Sequence, residues 1–237
     1  MSITWLAPSP STTFPPVESA LEDGLLAAGG DLSPTRITSA YQQGIFPWFN
    51  EGDPILWWSP DPRMVLFTDK IKISRSLQKT IRNTSVEIRF NTAFAKVMQA
   101  CAQPRSEENN ATWIHPEMIE AYNKLHQQGI AHSVECWQDN QLVGGLYGMA
   151  IGKIFFGESM FSTASDSSKI ALVALCRQLS HWDFPLIDCQ VYSEHLVSLG
   201  AEEIPRDSFN RYLKKLCPTE SINTTIFPPT PFNTNLV

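Results

Sequence analysis

The chain has 237 residues, 43% of them hydrophobic and 18% charged, with a formal net charge of −6, a globular composition sufficient for one large domain or two unequal ones. It contains no apolar run of about 18 residues, and its first residues, Met-Ser-Ile-Thr-Trp-Leu-Ala-Pro-Ser-Pro, lack a basic flank and an apolar stretch. A transmembrane helix and a signal peptide are therefore not expected, and scattered cysteines without a CxxC pair fit reduced thiols in the cytoplasm. The five histidines show no ligand spacing, so no metal site is expected.

Ser33-Pro34 reads as an N-cap followed by proline at the first helical position, with the helix passing Ile37, Ala40 and Tyr41 to stop at Gly44. Residues 44–63 then read Gly-Ile-Phe-Pro-Trp-Phe-Asn-Glu-Gly-Asp-Pro-Ile-Leu-Trp-Trp-Ser-Pro-Asp-Pro-Arg. Their prolines exclude a helix interior or a central strand. Trp48, Trp57 and Trp58 on such backbone either plug the edge of a core or build a binding surface, and both readings stay open.

A helix is expected over 74–82, with Ile73, Leu77 and Ile81 on one stripe and Arg75, Lys79 and Arg82 together on another face. A strand over 86–90, a helix over 92–102 and a polar loop over 103–111 follow. Pro116 opens a helix over 115–128, and Gly129 closes it. Three strands over 131–138, 142–150 and 153–161, with hairpin signals at Asp139-Asn140 and Ile151-Gly152, make an antiparallel meander. A long apolar helix over 166–182 has Asp166 as its simplest N-cap. A buried strand over 186–191, helices over 193–199 and 207–216, and an extended tail from Pro218 complete the chain.

Meander, long helix, strand and short helix is the order of N-acyltransferase folds. The expected class is α+β: a small N-terminal domain, 1–62, and a larger N-acyltransferase-like domain, 63–217, with a mainly antiparallel sheet and packed helices; residues 218–237 form the tail. A coenzyme A-dependent N-acetyltransferase would need glycines before its long helix to cradle pyrophosphate. Here the stretch is Ser162-Thr163-Ala164-Ser165-Asp166-Ser167-Ser168, which counts against that reading.

Charge is uneven. Residues 1–62 carry one basic and seven acidic side chains, 63–96 eight basic and two acidic, and 97–237 nine basic and fifteen acidic, giving −6, +6 and −6. Such a distribution excludes a general nucleic-acid coat but permits one local basic patch, with Arg75, Lys79 and Arg82 as phosphate contacts. Asp188 and Gln190 form a polar pair on an otherwise apolar strand, and Glu158 follows Phe155 and Phe156. Burying such groups unsatisfied costs roughly 1–3 kcal/mol each, so a hydrogen-bonded structural pair and a functional pair are both admissible.

Gly-Gly-Asp-Leu-Ser-Pro at 29–34, Ala-Tyr-Gln-Gln-Gly-Ile-Phe-Pro-Trp-Phe at 40–49 and Trp-Trp-Ser-Pro-Asp-Pro-Arg at 57–63 resemble the leucyl/phenylalanyl-tRNA–protein transferases. Ile-Ser-Arg-Ser at 73–76, Thr-Trp-Ile at 112–114, Gly-Glu-Ser-Met-Phe-Ser at 157–162 and Leu-Ile-Asp-Cys-Gln at 186–190 continue the resemblance in the same order. It implies a monomer without a cofactor that moves leucine or phenylalanine, and methionine less well, from aminoacyl-tRNA to proteins bearing N-terminal arginine or lysine. That marks them for degradation by the N-end rule pathway.

By the same resemblance Trp48 and Trp113 contact the terminal adenosine, Tyr41 and Tyr122 line the same cavity, and Leu146, Phe155, Leu175 and Ile187 form the pocket for the carried side chain. Gln190 would orient the attacking amine, Asp188 would hold Gln190 or stabilise charge developing on nitrogen, and Glu158 would attract the acceptor's cationic N-terminus. A non-enzymatic single-stranded RNA-binding module, built on the tryptophans and the basic helix, would leave Asp188, Gln190 and Glu158 without a purpose.

Overall fold

The computed structural model describes residues 3–8, 12–103 and 112–217. The expected tail, 218–237, and nearly all of the expected polar loop lie outside the described residues.

The first elements are β1 (Thr4–Leu6), β2 (Leu25–Gly29), α1 (Pro34–Gln42), β3 (Phe46–Pro47) and β4 (Leu56–Trp58). Their strands form a small sheet in the order β1-β2-β4-β3, parallel only between β1 and β2. Ser33 caps α1, its hydroxyl accepting the Arg36 N–H, and Pro34 occupies the first turn. Pro47 sits on the edge strand, where a missing N–H removes no ladder bond. Trp57 is fully buried in β4, edge-on to Phe14, and its indole donates to the Gly29 carbonyl at 2.9 Å. Trp48 remains 44% exposed. The tryptophan segment therefore divides: Trp57 plugs the core and Trp48 faces outward.

The larger sheet uses β5 (Arg63–Phe67), β6 (Glu87–Phe90), β7 (Ala131–Gln138), β8 (Gln141–Ile151), β9 (Ile154–Ser162), β10 (Leu186–Gln190) and β11 (Glu202–Ile204), in the order β11-β5-β10-β9-β8-β7-β6. Around it lie α2 (Arg75–Asn83), α3 (Phe94–Cys101), α4 (Pro116–Gln127), α5 (Ser167–His181), α6 (Glu194–Ser198) and α7 (Arg206–Leu216). The class is α+β, a small N-terminal sheet joined to a larger, mainly antiparallel one with packed helices.

The β7-β8-β9 meander is present, with Asp139 and Asn140 both at positive φ as a tight two-residue hairpin needs. Its second turn is Gly152–Lys153 rather than Ile151-Gly152, because Ile151 still pairs with Ile154. Within the larger sheet, among the described residues, only β9 and β10 run parallel, and α5 is the crossover such a pair requires. Asp166 stands at the N-cap position of α5 but does not cap it: at φ 59° its carboxylate turns to Lys169 at 2.7 Å.

One apolar cluster runs from Phe14, Ile37, Tyr41 and Trp57 of the N-terminal part to Met98 on α3, Tyr122 on α4 and Tyr147 and Phe156 on β8 and β9. A second, including Leu66, Leu146, Phe155, Leu175 and Ile187, lies on the opposite face under α5.

Candidate active site

The parallel pairing of β9 and β10 ends where Asp188 meets Phe156. Beyond that point β9 pairs with β8 alone, so the sheet parts. Both flanking strands carry a bulge at the parting. On β9, Tyr147 opposes Ser159 and Gly148 opposes Gly157, leaving Glu158 as the extra residue. On β10, Asp188 opposes Val65 and Gln190 opposes Met64, leaving Cys189 unpaired. A bulge re-aims side chains, and here it directs Glu158 and the Gln190 amide at each other across the gap. Gln190 pays for this with φ 59°, a backbone region costly to a residue with a Cβ. Gly148 permits the close approach on β8, since a Cβ there would stand 2.6 Å from the Phe155 ring.

Glu158 is the hub. Tyr41 donates to its Oε1 at 2.5 Å, the Tyr122 hydroxyl is hydrogen-bonded with its Oε2 at 2.9 Å, and Gln190 Nε2 donates to Oε1 at 3.1 Å, while the two phenol oxygens lie 2.7 Å apart. Burial pushes the Glu158 carboxyl up to about 8; the two phenols oppose that rise, and Asp188 adds to it. Burial first, and Glu158 second, push the Tyr41 and Tyr122 hydroxyls well above the usual phenol range.

This has a consequence for stability. Between the usual carboxyl value of 4.5 and about 8 the folded chain retains a proton that the unfolded chain has lost. Glu158 therefore contributes a fall in stability as pH rises across that window, by at most about 1.4 kcal/mol per unit and levelling off above it, against an opposite contribution up to about 6.5 from His132, which burial pushes down to about 3. Urea unfolding should show that Glu158→Gln removes this slope; an unchanged slope contradicts the assignment.

Asp188 is fully buried and faces the other way, to Arg63, itself 1% exposed. Arg63 grips it with Nε at 2.8 Å and Nη2 at 2.7 Å, and its Nη1 donates to the Gly44 carbonyl at 3.0 Å. The guanidinium lies 4.8 Å from the centroids of both Phe46 and Phe209. Asp188 Oδ1 also accepts the Gln190 backbone N–H at 3.1 Å. Spacing of two suggests one strand face for Asp188 and Gln190, but the bulge at Cys189 separates their directions.

A cavity of about 320 Å³ opens at the gap. Leu146, Phe155, Leu175 and Ile187 line it, with Glu158 and Gln190 at its polar side and Leu172, Met160 and Leu196 completing the apolar wall. Trp48, Trp113, Tyr41 and Tyr122 are not among its lining residues. The two tyrosines lie behind Glu158, fully buried. Trp48 leans on Trp58, ring centroids 5.8 Å apart, and Trp58 donates to the Trp48 carbonyl. Trp113 is half-buried against the core. An edge-on contact between Phe49 and His115, 4.6 Å between centroids, holds the two tryptophan segments together.

Arg75, Lys79 and Arg82 are exposed on α2, and among the described residues none of them forms an ion pair. Other members of the basic run are engaged elsewhere: Arg63 with Asp188, Lys70 with Glu202, and Arg89 with Glu87. The contact between Thr80 and Asp166 places α2 beside the start of α5.

Sequence reasoning missed the role of Arg63, counted only as part of a basic run; its partner is 125 positions away. It also missed Leu172, which the helical spacing to Leu175 could have supplied.

Residues 65–214 match the sequence model of leucyl/phenylalanyl-tRNA protein transferase, and residues 30–61 match that of its N-terminal domain. A leucyl/phenylalanyl-tRNA–protein transferase of Nitrosomonas eutropha is 65% identical over 207 residues, 86% of this chain and 88% of that one. The Nitrosomonas europaea protein of that name is 63% identical over 86% of this chain and 87% of its own length. That of Nitrosospira multiformis is 60% identical over 216 residues, 90% and 92% of the two chains. Identity at this level over nearly the whole length places the chain in the leucyl/phenylalanyl-tRNA–protein transferase family.

Proposed function

We propose that the protein transfers leucine or phenylalanine, and methionine less well, from aminoacyl-tRNA to the α-amine of proteins beginning with arginine or lysine. It acts as a cytoplasmic monomer without a cofactor, and the product is marked for N-end rule degradation. The observation that carries this reading is the cavity at the parted strands. Its apolar end, made by Leu146, Phe155, Leu175 and Ile187, suits an unbranched-at-Cβ apolar side chain, and its polar side presents Glu158 and Gln190. Discrimination among side chains differing by a methylene is worth only about 1–3 kcal/mol, so the preference is graded.

Residues 1–62 act as the smaller domain, supplying Tyr41 and Trp48, and residues 63–217 supply the cavity. Trp48, exposed at 44%, stacks on the terminal adenosine, with Trp113 on the adjoining segment. The ester needs positioning more than a strong base, because the attacking α-amine has a pKa of roughly 7.7–8.0 and is partly neutral at physiological pH. Gln190 orients that amine through its carbonyl oxygen, since its Nε2 is committed to Glu158. Asp188 works as a positioning residue: its charge is already met by Arg63, and it fixes the Gln190 backbone.

The exposed face of Arg75, Lys79 and Arg82 holds tRNA phosphates without reading sequence. Replacing Arg75 and Lys79 with alanine should reduce the slope of log affinity against log salt by roughly 1.5, at about 0.7–0.9 per phosphate contact. An unchanged slope removes α2 from the tRNA surface.

The assay combines purified protein, tRNA charged with labelled leucine and a substrate beginning with arginine. Transfer of label, absent for an N-terminal alanine substrate, supports the reading. Acetyl transfer from acetyl-coenzyme A, or tight RNA binding without any transfer, would replace it.

A further inference from the structure

The three contacts among Glu158, Tyr41 and Tyr122 form a closed triangle of 2.5, 2.9 and 2.7 Å. Each edge is a hydrogen bond and needs one proton. Two phenols supply two, because a tyrosine hydroxyl carries a single hydrogen. If Glu158 were a carboxylate, both phenols would donate to it, and the 2.7 Å contact between the phenol oxygens would hold no proton at all. A third proton, on the carboxyl, closes the ring. Oε1 already receives two donors, Tyr41 and Gln190 Nε2, so the proton belongs on Oε2. Oε2–H then donates to Tyr122, Tyr122 to Tyr41, and Tyr41 to Oε1.

We infer that Glu158 rests as a neutral carboxylic acid in this three-proton ring and serves as the proton shuttle of the transfer step. The second half of that statement rests on the function proposed above; the first half does not. The acceptor's neutral amine attacks the ester carbonyl carbon, a C–N bond forms, and the bond from that carbon to the ribose oxygen breaks. The ring passes its proton round, Oε2–H to Tyr122, Tyr122 to Tyr41 and Tyr41 to Oε1, and Oε1, the oxygen beside Gln190 at the cavity, gives it to the departing ribose oxygen. The resulting carboxylate takes one proton from the new, positively charged nitrogen and returns to the neutral acid, so no proton is gained or lost. While Glu158 is ionised, both phenols donate to it, which stabilises the intermediate state.

The charged and titratable neighbours pull in both directions, the two phenols and Arg63 towards the carboxylate and Asp188 towards the acid, and burial outweighs them. Tyr41 on α1, Tyr122 on α4 and Tyr147 on β8 are fully buried. Asp188 on β10 opposes ionisation of Glu158, and Arg63 on β5, which favours it, is held by Asp188 on two hydrogen bonds. Glu158 is part-buried at the cavity wall, and burial raises its carboxyl to about 8, in the direction of the neutral acid that the ring requires. A neutral Glu158 also bears on the acceptor: it would not attract a cationic N-terminus, and it favours entry of the amine in its uncharged, nucleophilic form.

The test has two parts. Infrared difference spectra of the ligand-free protein against Glu158→Gln at neutral pH should show a protonated carboxyl stretch that the variant lacks, titrating near pH 8. Absence of that band overturns the resting state, whatever the transfer assay gives. Glutamine keeps the ring intact, its amide donating to Tyr122 and accepting from Tyr41, so the variant should fold and bind charged tRNA. It carries no transferable proton, and single-turnover transfer should fall by about 10²-fold or more. Transfer within a few-fold of the parent overturns the shuttle and leaves Glu158 as a hydrogen-bonding support. If neither protein transfers an aminoacyl group, the proposed function fails while the infrared result still decides the ring.

Discussion

Replacing Arg63 with alanine is expected to destabilise the protein by about 3–5 kcal/mol, a large share of a typical total of roughly 5–15 kcal/mol. The cause is what stays behind. Asp188 is wholly buried, and without its two Arg63 hydrogen bonds it becomes a charge in a low-dielectric interior with no counter-ion. The Gly44 carbonyl and the rings of Phe46 and Phe209 lose their partner as well. Removing both charges should behave differently. Arg63→Met with Asp188→Leu should recover most of the stability, because a buried pair contributes little net energy compared with apolar residues of similar volume. Transfer should stay depressed in the double variant, since the Gln190 N–H no longer has Oδ1 to hold it. Urea midpoints measure the first effect and single-turnover rates the second. A midpoint shift worth less than about 1 kcal/mol for Arg63→Ala would show that the ion pair does not organise this region.

Gln190→Ala should slow transfer by about 10²–10³-fold, the scale seen when one positioned donor or acceptor is lost from a reacting centre. Binding of charged tRNA should change only a few-fold, because α2 and the tryptophan segment remain as they are. A collapse of tRNA affinity instead would move Gln190 from the transfer step to substrate binding. The backbone offers a control. Gln190 sits at φ 59°, which glycine adopts freely and alanine does not. Gln190→Gly should thus be more stable than Gln190→Ala by about 1 kcal/mol while equally slow. That separates the amide's chemistry from the strain of its backbone.

The parts of the fold legible in the sequence are those with local signals. Asp139-Asn140 announced its hairpin, Ser33-Pro34 its helix, and the apolar run before Trp182 the long helix α5. The small sheet was not legible. β2 reads Leu-Leu-Ala-Ala-Gly, without β-branched residues or alternation, and β3 has two residues, so both exist only through their partners. β5 was hidden because a strand buried on both faces shows no alternation, and its position depends on β10 and β11 far along the chain. At the site, polar residues on apolar strands marked Asp188, Gln190 and Glu158 as needing explanation. How they divide could not be read, because two bulges set their directions: Asp188 belongs with Arg63, and Gln190 belongs with Glu158 and the tyrosines. Bulges follow from three-dimensional register, and register has no one-residue signature.

The central claim is that the aminoacyl ester reacts at the opening between β9 and β10. The most direct measurement is a crystal structure with a phenylalanyl-adenosine analogue whose ester is replaced by an amide. The phenyl ring should lie among Leu146, Phe155, Leu175 and Ile187, with the carbonyl beside Gln190 and the adenine on Trp48. An analogue seated elsewhere, with that cavity unoccupied, would contradict the account.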